Sequence, residues 1–224
     1  MRAGLSIRSG LLAGVVLATL AACGAPAPVE SPAPVAPPPG AAAVGECPWE
    51  PGTAPEAPAS GTLVERVEAV ALAADDFWGL VETLPESAEP TDFTAMSTAL
   101  AGCGLDDVLA FEARLTLALY ALDSRTARDR YEQSDPDGPG TVSDDVFLYA
   151  RADTVLAGRA AWERAVAEHT LERRDAPSRL GEYLLYVSWD AAVALGLTTD
   201  EYLDELVARI PLSYESGSNP EGRP

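Results

Sequence analysis

The chain has 224 residues, with 35 acidic side chains against 15 basic ones and a formal net charge of −20 at pH 7. All fifteen basic residues are arginines, and there is a single histidine, His169. A surface this acidic repels phosphate backbones, which excludes nucleic acid as a partner class, and it disfavours lying flat on anionic lipid.

Residues 1–22 read as a signal peptide. Arg2 and Arg8 lead an apolar run from Ser9 to Ala22, and no acid precedes Glu30. The run falls short of the roughly 20 residues a membrane-spanning helix needs. Its end, Leu20-Ala21-Ala22-Cys23, resembles the lipobox of bacterial lipoproteins, in which the cysteine is diacylated and becomes the N-terminus. That resemblance implies acyl chains, palmitate among them, on Cys23. It also implies an extracytoplasmic address in the cell envelope and the membrane as a partner through the anchor. More than one acyl chain is required, because a single one gives only marginal, reversible attachment. Loss of Arg2 and Arg8 with the signal leaves 13 basic residues against 35 acidic ones, a net charge of −22.

Residues 23–60 carry the lipidated cysteine and then a Pro/Ala-rich segment that holds eleven of the nineteen prolines. Such a composition buries too little apolar surface to offset its ordering entropy, so a disordered, semi-rigid tether is expected. With Cys23 acylated, Cys47 and Cys103 remain, either bonded to each other in an oxidising compartment or as two free thiols. A bond would staple the end of the tether to the domain and is worth about 4 kcal/mol in the chain-entropy account. Neither cysteine has a histidine beside it, so thiol catalysis and zinc find little support.

From 61 to 212 the chain reads as one all-α domain, a single bundle of five or six helices. Thr62-Leu63-Val64-Glu65 has capping-box spacing, and helix-compatible sequence runs to Leu84, with a restart available at Asp75. A short helix from Thr91 ends at Gly102 and Gly104. Leu105, Val108, Leu109, Glu112, Leu115, Leu119 and Leu122 keep helical spacing, which predicts one long helix to about Gln133. Ser134 to Gly140 is a turn by composition. A fourth helix runs from Ser143 to about His169, a fifth stops at Gly196, and a sixth ends near Ile210, with Asp200 and Glu201 in its first turn. Residues 213–224 form an irregular tail.

The stretch from Gly140 to Val166 holds the candidate site. Ser143 can cap its helix, placing Asp144 and Asp145 at the positive end of the dipole, where each is worth about 0.3–1 kcal/mol. Apolar residues surround the rest of the run, which predicts a central, mostly buried helix. Gly158 then suggests close approach of a neighbour. Arg151, Val155 and Arg159 follow at i, i+4, so both guanidiniums should share a face. An unpaired buried charge is very costly. The arginines therefore either pair with Glu112, Glu182 or Asp190 on adjacent helices, or line a small anion pocket.

Ser143-Asp144-Asp145, Phe147, Tyr149, Arg151 and Gly158-Arg159 together resemble the signature of the bacterial family called domain of unknown function 4240. Its pattern reads Cys-Ser-Asp-Asp-Gly-Phe, then Tyr-Phe-Arg, Trp and Gly-Arg. Asp76-Phe77-Trp78-Gly79-Leu80-Val81 resembles that family's opening Phe-Trp helix, and Glu182 to Val187 resembles its third block. The three blocks span about residues 75–195. Val142, Val146, Ala150 and Asp153 replace the pattern's Cys, Gly, Phe and Trp, so half the aromatic lining of any family pocket is missing. The resemblance implies a fold and a family; it brings no catalytic residue.

Other chemistries fit poorly. An EF-hand frame beginning at Asp135 puts Pro139 at position 5 and Val146 at position 12, where a glutamate belongs. His169 lacks a positioned nucleophile. Adjacent carboxylates on a helix diverge by about 100° and cannot face each other across a substrate, as two-carboxylate hydrolysis requires. No cofactor or metal is expected. The expectation is a lipid-anchored envelope protein with an acidic binding or interaction domain for an envelope protein or small ligand. The alternative is an enzyme acting on an envelope substrate through a cleft lined by Asp144, Asp145, Arg151 and Arg159.

Overall fold

A computed structural model describes residues 47–49, 58, 60–135, 142–171 and 180–219. The expected signal peptide, Cys23, most of the expected tether and most of the expected Ser134–Gly140 turn lie outside the described residues. Among those described, all regular structure is helical, which bears out the all-α reading. The helices are α1 (Leu63–Val70), α2 (Ala74–Val81), α3 (Pro90–Cys103), α4 (Leu105–Leu122), α5 (Arg125–Gln133), α6 (Asp144–Leu156), α7 (Arg159–Glu168), α8 (Leu180–Ala194) and α9 (Thr199–Arg209). None is long and apolar enough to cross a membrane.

Among the described residues nine helices replace the expected five or six, because three long runs are each broken once. The break between α1 and α2 falls at Ala71–Ala73, close to the restart expected at Asp75. The helix expected to run from Leu105 to Gln133 stops at Asp123, whose φ of −83° and ψ of 51° leave the helical region, and Ser124 caps α5 by accepting from the Ala127 amide. The helix expected from Ser143 to His169 stops at Ala157. Gly158, with φ of +90°, turns the chain into α7. An L side chain rarely adopts that angle, so Gly158 is there for its backbone freedom.

The close helix approach lies instead at Gly181, on α8. A Cβ there would meet the Tyr149 carbonyl oxygen at 2.5 Å and the Ala152 Cβ at 3.1 Å. Gly181 also donates its amide to the Asp153 carboxylate at 2.9 Å, fixing the start of α8 on α6. The family pattern's tryptophan would not fill this role at position 153, where the carboxylate caps an otherwise unsatisfied helix amide.

α4 is the central helix. Twelve of its eighteen residues are buried, Asp107, Glu112 and Thr116 among them. α8 packs along α3 and α6 and reaches α4, while α1, α2, α7 and α9 cover the rest of α4. The main core gathers Phe77, Trp78, Leu80, Val81, Phe93, Leu100, Phe111, Leu115, Leu119, Val155, Leu184 and Val187. A smaller cluster joins α1 to Ile210 through Val67, Val70 and Ala113. A third holds Ala127, Val142 and Phe147. Cys47 and Cys103 are bonded, with Cα atoms 4.7 Å apart. Trp49 adds a hydrogen bond from its indole to Asp107 at 2.9 Å, so the 47–49 segment is fixed to the α3–α4 junction at two points.

Candidate functional site

Arg151 is fully buried on α6, and the structure gives it partners other than those expected. It donates to the Leu119 carbonyl at 3.2 Å, the Tyr214 carbonyl at 2.9 Å and the Ser216 hydroxyl at 3.2 Å. The Asp123 carboxylate lies 3.6 Å away, an ion pair too long to be a hydrogen bond. The Phe147 ring sits beneath the guanidinium, 5.1 Å from its centroid. Burial lowers the Arg151 pKa to about 10, the Asp123 charge acting against it, so the guanidinium stays charged at neutral pH.

Asp123 accepts from the Gly217 amide at 3.0 Å and the Asn219 amide at 2.9 Å. The Asn219 side chain donates to the Tyr120 carbonyl at 2.8 Å, and the Ser216 hydroxyl donates to the Asp144 carbonyl at 3.0 Å. The irregular tail is therefore clamped to the domain through residue 219. Sequence reasoning missed Asp123 and the tail residues; the one local signal was Ser124, an N-cap type inside an apparently continuous helix.

Glu112 does not pair with an arginine. It accepts from the Ser188 hydroxyl at 2.5 Å, and Ser188 in turn accepts from the Tyr202 hydroxyl at 2.9 Å. Burial pushes the Glu112 carboxyl up to about 7, against the Ser188 hydrogen bond. It is a buried polar chain tying α4, α8 and α9 together. The other expected partners are also elsewhere. Glu182 is half-buried in the first turn of α8, and Asp190 stands largely exposed near the end of α8, where partial burial of its carboxyl raises its pKa.

The remaining motif residues divide between two places. Ser143 caps α6 by accepting from the Val146 amide, Asp144 is bridged to Arg128, and Asp145 is exposed in the first turn. Arg159 lies on α7, exposed, and pairs with Asp75 at 2.8 Å and Glu163 at 2.9 Å. The hydrogen bonds it donates to Glu163 and Asp75 push its pKa further up. The break at Gly158 is why Arg151 and Arg159 do not share a face. A cleft needs its four proposed lining residues pointed at one space; here Arg151 points at buried carbonyls and Arg159 at the carboxylates of Asp75 and Glu163.

Arg159 does border a groove. Val64, Ala74, Trp78, Leu117, Ala118 and Trp162 form its apolar walls, with Glu68, Arg114, Tyr120, Arg159 and Glu163 at its rim, enclosing about 200 Å³. The Trp78 and Trp162 rings lie 5.6 Å apart, and the Trp162 indole donates to the Ala118 carbonyl at 2.9 Å. Arg114 donates to both Glu68 carboxylate oxygens at 2.8 Å and to the Leu72 carbonyl at 2.7 Å. Phe77 lies behind Trp78, edge-on at 5.0 Å, and is completely buried. A second, more open depression of about 650 Å³ is bordered by Glu82, Glu86, Leu156, Gly158 and Leu180. Among the described residues no group of three or more His, Cys, Asp or Glu side chains is placed to hold a metal ion.

No curated protein matches the sequence, and no solved structure does. One family model matches: protein of unknown function (DUF4240), over residues 72–191. That span runs from just past α1 through most of α8 and includes Trp78, Asp123, Arg151 and Arg159. It covers more than half of the chain, and the protein belongs to that family.

Proposed function

We propose that this is a lipid-anchored envelope protein, held by acyl chains on Cys23 and a Pro/Ala-rich tether, whose acidic helical domain is a binding module. The observation that carries the module reading is the groove between Trp78 and Trp162. It offers an apolar floor of two indoles inside a charged rim, the arrangement of an anchor pocket at a protein interface. Its volume decides between kinds of occupant. Sites for whole small molecules enclose about 300–1,000 Å³, so about 200 Å³ suits one side chain or one ring of a larger partner. The rim charges are already paired as Arg114–Glu68 and Arg159–Glu163, which favours a ligand whose contact is apolar or aromatic at its centre.

The anchor and the groove are tested together. Cys23→Ala should release the protein from the membrane fraction or leave its precursor unprocessed. Leu117→Arg places a charge in the groove and should abolish partner crosslinking from intact membranes, while Val207→Arg, at a site 73 % exposed on α9, should not. Loss of crosslinking in both variants, or in neither, would remove the groove from the account.

A further inference from the structure

The C-terminal segment is held as a ligand is held. Tyr214 contributes its carbonyl, Gly217 and Asn219 their amides, Ser216 its hydroxyl and Asn219 its side-chain amide. The groups that meet them come from two helices: Asp123 and Tyr120 at the end of α4, and Asp144 at the start and Arg151 in the middle of α6. The receiving residues lie inside the family match at 72–191; the held segment lies outside it. The fit is also incomplete. Arg151 Nε is buried with no acceptor, so the resident segment leaves one donor of the receptor unmet.

We propose that the Asp123–Arg151 end of the bundle is a peptide-binding site for a turn-forming segment of the form Tyr-x-Ser-Gly-x-Asn, with residues 214–219, whose turn is closed from the Ser218 amide to the Glu215 carbonyl, as its resident, exchangeable occupant. Each fixed position has a reason. The tyrosine packs against the main core cluster. The serine bridges Arg151 and the Asp144 carbonyl. The glycine adopts φ of +89°, which L side chains resist. The asparagine is held at both its amides. One carboxylate accepting two main-chain amides recognises backbone rather than side chains. The same chemistry can come from the C-terminal segment of a second copy or from another envelope protein.

An occupant tethered in cis competes at an effective concentration of about millimolar, so binding in trans is seen best when the resident is weakened. The probe is a fluorescein-labelled peptide of residues 211–219, followed by anisotropy against the full-length protein and its Asn219→Ala variant. Asn219→Ala should bind the peptide at least tenfold more tightly than the unaltered protein, and adding Asp123→Asn should remove that gain. No binding by Asn219→Ala would overturn the proposal. Hydrogen exchange on the unaltered protein guards against a folding defect. The Gly217 and Asn219 amides should exchange before the amides of α4 and α6; exchange only together with them would make the segment a fixed part of the core and also overturn it. A dimer that grows with concentration assigns the partner segment to a second copy, and a monomer that binds the peptide assigns it to another protein.

Discussion

Replacing Glu112 by glutamine should remove one defined pH-dependent contribution to stability. The carboxyl is 3 % exposed, accepts one hydrogen bond from Ser188, and is pushed from an ordinary 4.5 to about 7 by burial. Its folded pKa is raised, so its contribution is fully present below 4.5 and is lost as pH rises through 7. At about 1.36 kcal/mol per pKa unit, the loss amounts to about 3 kcal/mol across that window, and above it the contribution is constant. Denaturant unfolding should show the unaltered protein losing about 1.4 kcal/mol per pH unit relative to Glu112→Gln from pH 5 to 7, with a plateau beyond. Comparison with the glutamine variant removes two other pH-dependent contributions, the raised Asp190 carboxyl and the general repulsion within an acidic chain. A difference curve flat from pH 5 to 8 would refute the reasoning, because it would mean that Glu112 ionises equally well folded and unfolded.

The other expectations concern what holds the fold. Arg151→Met leaves Asp123 buried without its cation and should cost about 3–5 kcal/mol, read as a lower midpoint in urea; a change below about 1 kcal/mol would show that the tail amides alone satisfy Asp123. Gly181→Ala sets a Cβ against the α6 backbone and should cost about 1–3 kcal/mol as overpacking, measured by thermal unfolding. Reducing the Cys47–Cys103 bond should lower the melting temperature, with a chain-entropy loss of about 4 kcal/mol for a separation of 56 residues. Cys47→Ser should reproduce that loss and become insensitive to reductant.

The helices were legible because they are local. Thr62–Glu65 and Thr198–Glu201 are capping boxes written in four residues each, and both are formed. The positions of the breaks were not legible. Apolar spacing continues across Asp123-Ser124 and across Ala157-Gly158, and periodicity alone cannot see a break whose reason is tertiary. What stops α4 at Asp123 is its pair of amide partners, 94 and 96 residues further along the chain. For the same reason the motif arginines looked like one site. Their spacing assumed an unbroken helix, and a single glycine in a left-handed conformation sent Arg159 to the groove and left Arg151 in the core. The family blocks were readable because they are short and ordered in sequence, whereas the groove joins α1, α2, α4 and α7 and has no contiguous signature. Trp162 and Arg114, which complete it, look in sequence like an ordinary core residue and an ordinary surface charge.

The most direct test of the binding-module account is photo-crosslinking of the full-length protein in intact cells that express it. A photoreactive residue at Tyr120, on the groove rim, is compared with one at Val207 on α9. The account predicts one discrete adduct from position 120, lost on Leu117→Arg, and none from position 207. Equal labelling from both positions, or an adduct from position 120 that survives Leu117→Arg, would contradict it.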